Sequence, residues 1–183
     1  MTSAEGSSPD GRKQIYRGRV VTLNLETVTL PNGATIELEV IRHQGAAAAV
    51  PLTDDGHVLL IRQYRHAAGG YIYEIPAGKI DPGEEPLACA AREVEEEIGR
   101  RASSIAPMLS FYTTPGFTDE VIHLFLATGL TPGTQSLDHD EVLEVVEMPL
   151  EQAIRHIADG TIRDAKTIIG LQAAYLARRP QQP

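Results

Sequence analysis

Glutamates are crowded onto one short segment of the chain. Residues 93–97 read EVEEE, within a stretch (86–98) that predicts a helix with a proline at its first turn. At about 100° per residue, Glu93, Glu96 and Glu97 share one helix face. Each pair of like charges one turn apart costs about 0.2–0.5 kcal/mol. The sequence therefore predicts that either bulk water or a bound cation offsets the repulsion, and carboxylates suit Mg²⁺ or Mn²⁺.

A second face of the same predicted helix is apolar, so we expect it to be buried. Its residues are Leu87, Ala90, Ala91, Val94 and Ile98. Glu95 points elsewhere, and Glu84, in the preceding loop, is placed to fold back toward the acidic face. The three clustered carboxylates are thus separated from the predicted core.

Composition limits the classes of protein to consider. A chain of 183 residues with 42% hydrophobic residues predicts one domain with a sizeable core. No apolar run approaches the roughly 18 residues of a membrane helix, and residues 1–13 lack the apolar core of a signal peptide. The net charge of −9 argues against nucleic-acid binding. One cysteine, Cys89, permits no intramolecular disulfide, which favours a cytoplasmic location.

The order of predicted elements is strands, helix, strands, then two helices, which indicates an α+β sandwich. An Asn-Gly pair within residues 31–34 predicts a tight hairpin turn, and residues 54–56 predict a second hairpin. A strand at 71–76 is expected to end at Pro76 and Gly78. Further strands are predicted at 105–113, 121–130 and 141–149, and helices at 150–160 and 164–179.

Eight residues of this region resemble the signature of the Nudix hydrolases, spacing for spacing. They are Gly78, Glu84, Arg92, Glu93, Val94, Glu96, Glu97 and Gly99. The chain departs from the signature at Arg100, where the pattern has an aliphatic residue. The resemblance implies an αβα sandwich with a mixed sheet, the Nudix fold. It also implies metal-assisted attack of water on a diphosphate linked to another moiety.

The resemblance assigns roles to the signature residues. Glu93 and Glu97 are expected to bind Mg²⁺ directly, with Mn²⁺ as a substitute and Glu96 shared or bridging. The backbone carbonyl of Ala77 is a further expected ligand, and Arg92 is expected to orient the glutamates. Cys89, one turn before Glu93, is interpreted as a small packing residue.

Segments outside the signature resemble the ADP-ribose pyrophosphatase branch of the family. They are residues 62–78, residues 110–120 and the helix from Asp164. Pro115 lies where that branch has a proline. Arg65 is expected to contact substrate phosphate, Glu74 to hold substrate or metal, and Glu120 to contact the terminal sugar. From residue type alone, the favoured interpretations are a surface ion pair for Arg65 and a loop-capping role for Glu120.

The loop before the last predicted strand is expected to supply the general base. Relatives have an acidic pair here, and Glu141 matches its second position, whereas His139 occupies the first. A neutral histidine accepts a proton near neutral pH. Glu141 ranks first as base or extra metal ligand, while His139, Asp138 and Asp140 remain open as alternatives.

The resemblance also predicts the domains and the reaction. A disordered tail (1–13) precedes an N-terminal antiparallel β segment (14–44), exchanged across a homodimer, and a catalytic domain (45–180). The expected reaction is Mg²⁺-dependent hydrolysis of ADP-ribose to AMP and ribose phosphate. The alternatives are hydrolysis of GDP-mannose or ADP-glucose, and a non-catalytic sensor of nucleotide sugars. A calcium-binding structural domain is set aside because the chain lacks an EF-hand loop.

Overall fold

The structure is a computed structural model that describes residues 11–139 and 141–178. Its strands are β1 (Arg12–Arg17), β2 (Thr22–Thr29), β3 (Thr35–Arg42), β4 (Ala46–Pro51), β5 (His57–Arg65), β6 (Gly70–Glu74), β7 (Ala77–Lys79), β8 (Arg100–Tyr112), β9 (Val121–Pro132) and β10 (Leu143–Pro149). Its helices are α1 (Pro86–Ile98), α2 (Leu150–Ala158) and α3 (Ala165–Arg178), with a short 3₁₀ turn at His66–Ala68. Most of the predicted tail lies outside the described residues, although its last two residues, Arg12 and Lys13, begin β1.

The chain forms two compact units. The first unit comprises residues 11–45 and 111–121 of the described chain, and β1, β2 and β3 form an antiparallel sheet in it. The predicted hairpin turn between β2 and β3 is confirmed: Leu30 N donates to Ala34 O over 2.8 Å, and Gly33 adopts a φ of +84°. This unit also contains residues 111–121, which the predicted N-terminal segment (14–44) does not include. The predicted bounds of the N-terminal segment and of the catalytic domain stay a prediction.

The second unit comprises residues 46–110 and 122–178 of the described chain and holds two further sheets. One has the strand order β10-β5-β6 and is antiparallel throughout. The other has the order β7-β4-β9-β8, with β4 parallel to β9 and antiparallel to β7, so it is mixed as predicted. The helices α1, α2 and α3 belong to this unit. Among the described residues, none of the helices has the length and apolar composition that spanning a membrane requires.

Helix α1 has the predicted bounds for local reasons. Pro86 occupies the first turn, and Gly99 ends the helix in the left-handed region at φ +62°, donating its N–H to Glu95 O. Ala90 and Val94 pack in a core cluster with Leu59 and other residues of β4, β5 and β9. This packing fixes the rotation of α1 and thereby places its glutamates.

Three expectations about local structure are wrong. Residues 54–56 form a turn, but β4 and β5 then enter different sheets and share a single bridge, Leu52 with Val58, so no second hairpin forms. The chain at Ala77–Lys79 is a strand, β7, where we expected the strand region to have ended. Leu87 is 47% exposed because it lies in the first turn of α1, away from the core cluster.

Candidate active site

Glu97 is the most deeply buried carboxylate of α1, with 2% of its surface exposed. Its Oε2 accepts a hydrogen bond from the backbone N–H of Ala77 over 2.9 Å, which brings β7 directly against the helix. Burial, reinforced by the charges of Glu93, Glu141 and Glu74, raises the pKa of Glu97 to about 8. A cation bound nearby would stabilise the ionised form of this carboxylate.

Glu93 lies one turn before Glu97 against the backbone of Gly78. A Cβ added to Gly78 would be only 1.8 Å from Glu93 Oε1, so a side chain there would displace the carboxylate. Burial raises the pKa of Glu93 as well, and the charges of Glu96 and Glu141 add to this effect. The backbone of Ala77 and Gly78 therefore packs against one side of the Glu93 and Glu97 carboxylates.

Arg92 binds three of the predicted site glutamates at once. Its Nε and Nη2 donate to Glu84 over 2.9 and 3.1 Å, and its Nη1 donates to Glu93 over 2.7 Å and to Glu96 over 2.8 Å. The hydrogen bonds from Arg92 lower the pKa of Glu84 to about 2. The structure thus places Glu84 against the acidic face, as its sequence position suggested, and places Arg92 where it orients the glutamates.

Cys89 is fully buried in the core cluster beneath these residues. Burial raises the pKa of its thiol to about 12, so the thiol stays protonated at neutral pH. Its packing role agrees with the prediction.

Arg65 and Glu74 form a second charged cluster on β5 and β6. Arg65 Nε and Nη2 donate to the two oxygens of Glu74 over 2.7 and 3.1 Å, while the Arg65 side chain stays 43% exposed. Lys166, from the first turn of α3, also donates to Glu74. Burial works to raise the pKa of Glu74, but the bond from Arg65 and the charge of Lys166 lower it overall. Arg65 is therefore an anchored guanidinium that remains accessible to an anion.

Lys166 is a residue that sequence reasoning missed. Asp164 fixes the start of α3 by accepting hydrogen bonds from the N–H and Oγ1 of Thr167, over 3.0 and 2.7 Å, and from Lys166 over 3.1 Å. Thr167 Oγ1 in turn accepts from the N–H of Ile75, next to Glu74. Asp164 signals the start of α3, because Asp is a favoured N-cap residue, and this places Lys166 in the first turn but does not identify its partner.

Pro115 and Glu120 lie in the first unit. Pro115 is exposed, and Glu120 Oε2 accepts a hydrogen bond from Thr113 Oγ1 over 2.8 Å. Asp119, next to Glu120, bonds Arg42 over 3.0 Å and the N–H of His43 over 2.8 Å. The loop that carries the two predicted substrate residues is thereby held to the end of β3.

The loop before β10 brings Glu141 toward α1. The charge of Glu141 raises the pKa of both Glu93 and Glu97, and its Oε2 accepts from the N–H of Asp138 over 2.9 Å. His139 is exposed in this loop, and Asp140 lies outside the described residues. Glu141 therefore lies close enough to Glu93 and Glu97 for its charge to act on both carboxylates. The identity of the base stays a prediction.

The donor set fits a hard divalent cation by its chemistry. Glu93 and Glu97 are buried and Glu141 is half-buried, and as ionised carboxylates they would repel one another. A cation would relieve this repulsion. Within residues 11–139 and 141–178, however, no three His, Cys, Asp or Glu side chains converge on one point in the manner of a metal site. Glu93 and Glu96 instead turn to Arg92. Cation binding would therefore draw these carboxylates partly away from the guanidinium.

The family model for the NUDIX domain matches residues 42–170 of the chain. This range contains the whole of α1, the strands on both sides of it and the loop that precedes β10. The chain belongs to the Nudix hydrolase family. The resemblance inferred from the signature is thus confirmed, and Nudix hydrolases generally use divalent metal ions.

Several proteins are similar to this Nudix hydrolase over most of its length. "Methanol dehydrogenase activator" from Bacillus methanolicus is 42% identical over 166 residues, and "ADP-ribose pyrophosphatase" from Bacillus subtilis (strain 168) is 42% identical over 167 residues; both alignments cover 90% of each chain. "GDP-mannose pyrophosphatase" from Cronobacter sakazakii is 36% identical and covers 75% of this chain and 81% of the relative. The solved structure "Crystal structure of ADP compounds hydrolase" matches with a TM-score of 0.80 at 24% identity and covers 97% and 96% of the two chains. This match confirms the fold.

Proposed function

We propose that this Nudix hydrolase splits the diphosphate bond of ADP-ribose to give AMP and ribose phosphate, with Mg²⁺ as the cation. The observation that carries the chemistry is the buried pair Glu93 and Glu97, held between β7 and Arg92. The substrate is supported by the 42% identity to the Bacillus subtilis relative named ADP-ribose pyrophosphatase.

Each side chain has a definable task in this reaction. Glu93 and Glu97, with Glu96 and the Ala77 carbonyl, would hold the cation, and Glu141 would serve as a further ligand or as the base. Arg92 holds the carboxylates of Glu93 and Glu96 in position. The bound cation supplies neutralisation of the phosphate oxygens and makes water more acidic. Arg65 offers its planar fork to a phosphate group, and Pro115 and Glu120 are proposed to contact the sugar end of the substrate.

The bond changes follow from hydrolysis of a phosphoanhydride. A water oxygen forms a bond to one phosphorus, and the bridging P–O bond breaks with its electron pair leaving on the other phosphate. One water proton passes to a base, for which Glu141 ranks first and His139, Asp138 and Asp140 are the alternatives. Glu141 is favoured because its charge reaches the glutamate pair.

A test is hydrolysis of ADP-ribose, GDP-mannose, ADP-glucose and NADH, with Mg²⁺ and with EDTA, followed by chromatography of the products. We expect AMP and ribose phosphate from ADP-ribose, no products in EDTA, and loss of nearly all turnover in Glu97→Gln. Glu95→Gln is the matched control, because Glu95 lies on the same helix but bonds Arg101 outside the site. Faster cleavage of a nucleotide sugar would move the substrate to the second candidate, GDP-mannose, which the Cronobacter sakazakii relative supports.

A homodimer in the cytoplasm is the proposed setting. Apolar side chains of the N-terminal sheet and its connections are exposed in the single chain, including Ile15 at 48%, Tyr16 at 58% and Val20 at 57%. Exposed apolar residues on a three-stranded sheet support a partner that covers them. Light scattering after gel filtration tests this, and a monomeric mass at micromolar concentration would contradict it.

A further inference from the structure

Gln63 on β5 is a buried amide whose carbonyl oxygen has no hydrogen-bond donor. Only 4% of its surface is exposed, and its Oε1 accepts no hydrogen bond from the described residues. Buried polar side chains nearly always have a partner, so an unpaired one calls for an explanation. In a pocket, the explanation is often a ligand or water that completes the hydrogen bond.

The position of Gln63 places it on the floor of the site. Side chains alternate along a strand, so Gln63 shares a sheet face with Ile61 and Arg65. Ile61 packs in the core cluster with Val94 of α1, which shows that α1 covers this face. Arg65 bonds Glu74, the residue paired with Ile61 across the sheet.

The other neighbouring strand brings the general-base loop beside Gln63. Gln63 pairs with Leu143 of β10, two residues after Glu141, and the N–H of Tyr64 donates to the carbonyl of Val142. Leu143 also packs against the core cluster that contains Val94. Gln63 therefore lies on the central strand β5, with Glu74 on one flank and Glu141 on the other.

The groups around Gln63 are mostly hydrogen-bond acceptors. Glu74 is ionised, and Glu97 becomes so when a cation replaces its proton, so in the cation-bound site neither carboxylate donates to an amide oxygen; the phosphate oxygens of a diphosphate do not donate either. Arg65 and Lys166 carry N–H donors, but both are turned to Glu74, and neither bonds Gln63 Oε1. A water molecule can supply the missing donor, and its O–H groups donate more strongly when the water also contacts a cation.

We propose that Gln63 is a positioning residue of the cation site, whose Oε1 accepts a hydrogen bond from a water molecule held beside the divalent cation at Glu93 and Glu97. This inference rests on the proposed cation requirement but not on the identity of the substrate. The proposal explains why the Gln63 amide is buried without a donor, and Gln63 is not among the residues of the signature.

The test compares Mn²⁺ binding by wild type, Gln63→Met and the matched control Leu59→Met, measured by electron paramagnetic resonance of free Mn²⁺ without substrate. Leu59 is buried on the same face of β5 and has no polar group. Loss of a group that supports metal ligands typically weakens metal affinity 10- to 100-fold, so we expect about a 10-fold higher Kd for Gln63→Met. Leu59→Met should bind as wild type does.

A second variant, Gln63→Glu, keeps an acceptor oxygen at the same place. It should retain Mn²⁺ affinity close to that of wild type, and Mn²⁺ should therefore stabilise it about as much as it stabilises wild type. Wild-type affinity in Gln63→Met, or equal loss in both Gln63 variants, would overturn the proposal.

The same measurements separate this inference from the proposed reaction. Mn²⁺ binding that weakens in Gln63→Met supports the inference even if ADP-ribose is not hydrolysed. Absence of Mn²⁺ binding in wild type would overturn the inference together with the cation requirement.

Discussion

The buried carboxylate of Glu97 should make the metal-free protein less stable as the pH rises. In the folded chain, burial and the charges of Glu93 and Glu141 raise its pKa from 4.5 to about 8. In the unfolded chain Glu97 titrates at its ordinary value. Between the two values the folded state binds a proton that the unfolded state has lost, so each rise in pH favours unfolding. The stabilisation is complete below the unfolded pKa and is lost as the pH approaches the folded pKa.

The size of the effect follows from the two pKa values. One proton changes the free energy of unfolding by about 1.4 kcal/mol per pH unit. Between about pH 5 and about pH 8 the full slope would give about 4 kcal/mol, and partial titration near each pKa reduces the loss to about 3–4 kcal/mol. Glu97→Gln removes the ionisation but keeps an oxygen that accepts from the Ala77 N–H. In EDTA the variant should therefore lose this slope and be more stable than wild type at pH 8, although we expect it to have lost nearly all turnover.

Urea unfolding followed by circular dichroism in EDTA at a series of pH values measures the difference. Glu95→Gln is the control, since it removes one charge from the same helix at a residue paired with Arg101, and it should keep the slope of wild type. Parallel curves for wild type and Glu97→Gln would refute the reasoning, because they would show that Glu97 is already ionised in the folded protein. Excess Mg²⁺ should abolish the slope both in wild type and in Glu95→Gln.

Two further substitutions test the walls of the site. Gly78→Ala should abolish the rise in melting temperature that Mg²⁺ gives wild type, because the new Cβ takes the space of Glu93 Oε1. Gly116→Ala, whose Cβ meets no atom within 4 Å, is the control, and an undiminished Mg²⁺ effect in Gly78→Ala would contradict the placement of Glu93. Lys166→Met should destabilise the protein by about 3 kcal/mol in urea because Glu74 loses a buried partner. When Glu74→Gln is added to Lys166→Met, the double variant should recover part of that loss. If the two substitutions instead change the free energy of unfolding by strictly additive amounts, the pairing of Lys166 with Glu74 is wrong.

The parts of the fold that depend on local chemistry were predictable from the sequence. The bounds of α1 follow from a proline at one end, a glycine at the other and the apolar spacing between them. The turn at 31–34 follows from Asn32 and Gly33. The partners of β4 were not predictable, because a turn at 54–56 reverses the chain without deciding which sheet the next strand joins. Strand β7 has three residues, too few for an alternating pattern to show.

The contacts of the site also divide into those that local spacing predicts and those that depend on packing between distant segments. The glutamates and Arg92 lie within fifteen residues of one another and share a fixed spacing, so their proximity was predictable. The bond between Lys166 and Glu74 joins residues 92 positions apart, and only the packing of α3 brings them together. Gln63 gives no signal in the sequence, because its unpaired oxygen becomes informative only once its burial is known.

The glutamates near α1 differ in protonation, and this difference bears on metal binding. Arg92 lowers the pKa of Glu84 to about 2, whereas burial raises that of Glu97 to about 8. Near neutral pH, Glu84 is therefore ionised and Glu97 largely protonated in the metal-free protein. A cation that binds Glu97 must displace its proton, so Mg²⁺ affinity should rise with pH and level off above about pH 8. Titration of Mg²⁺ by calorimetry in buffers of different ionisation enthalpy measures the released proton, and Glu97→Gln should release about one fewer. Equal proton release by wild type and Glu97→Gln would show that the released proton comes from a group other than Glu97.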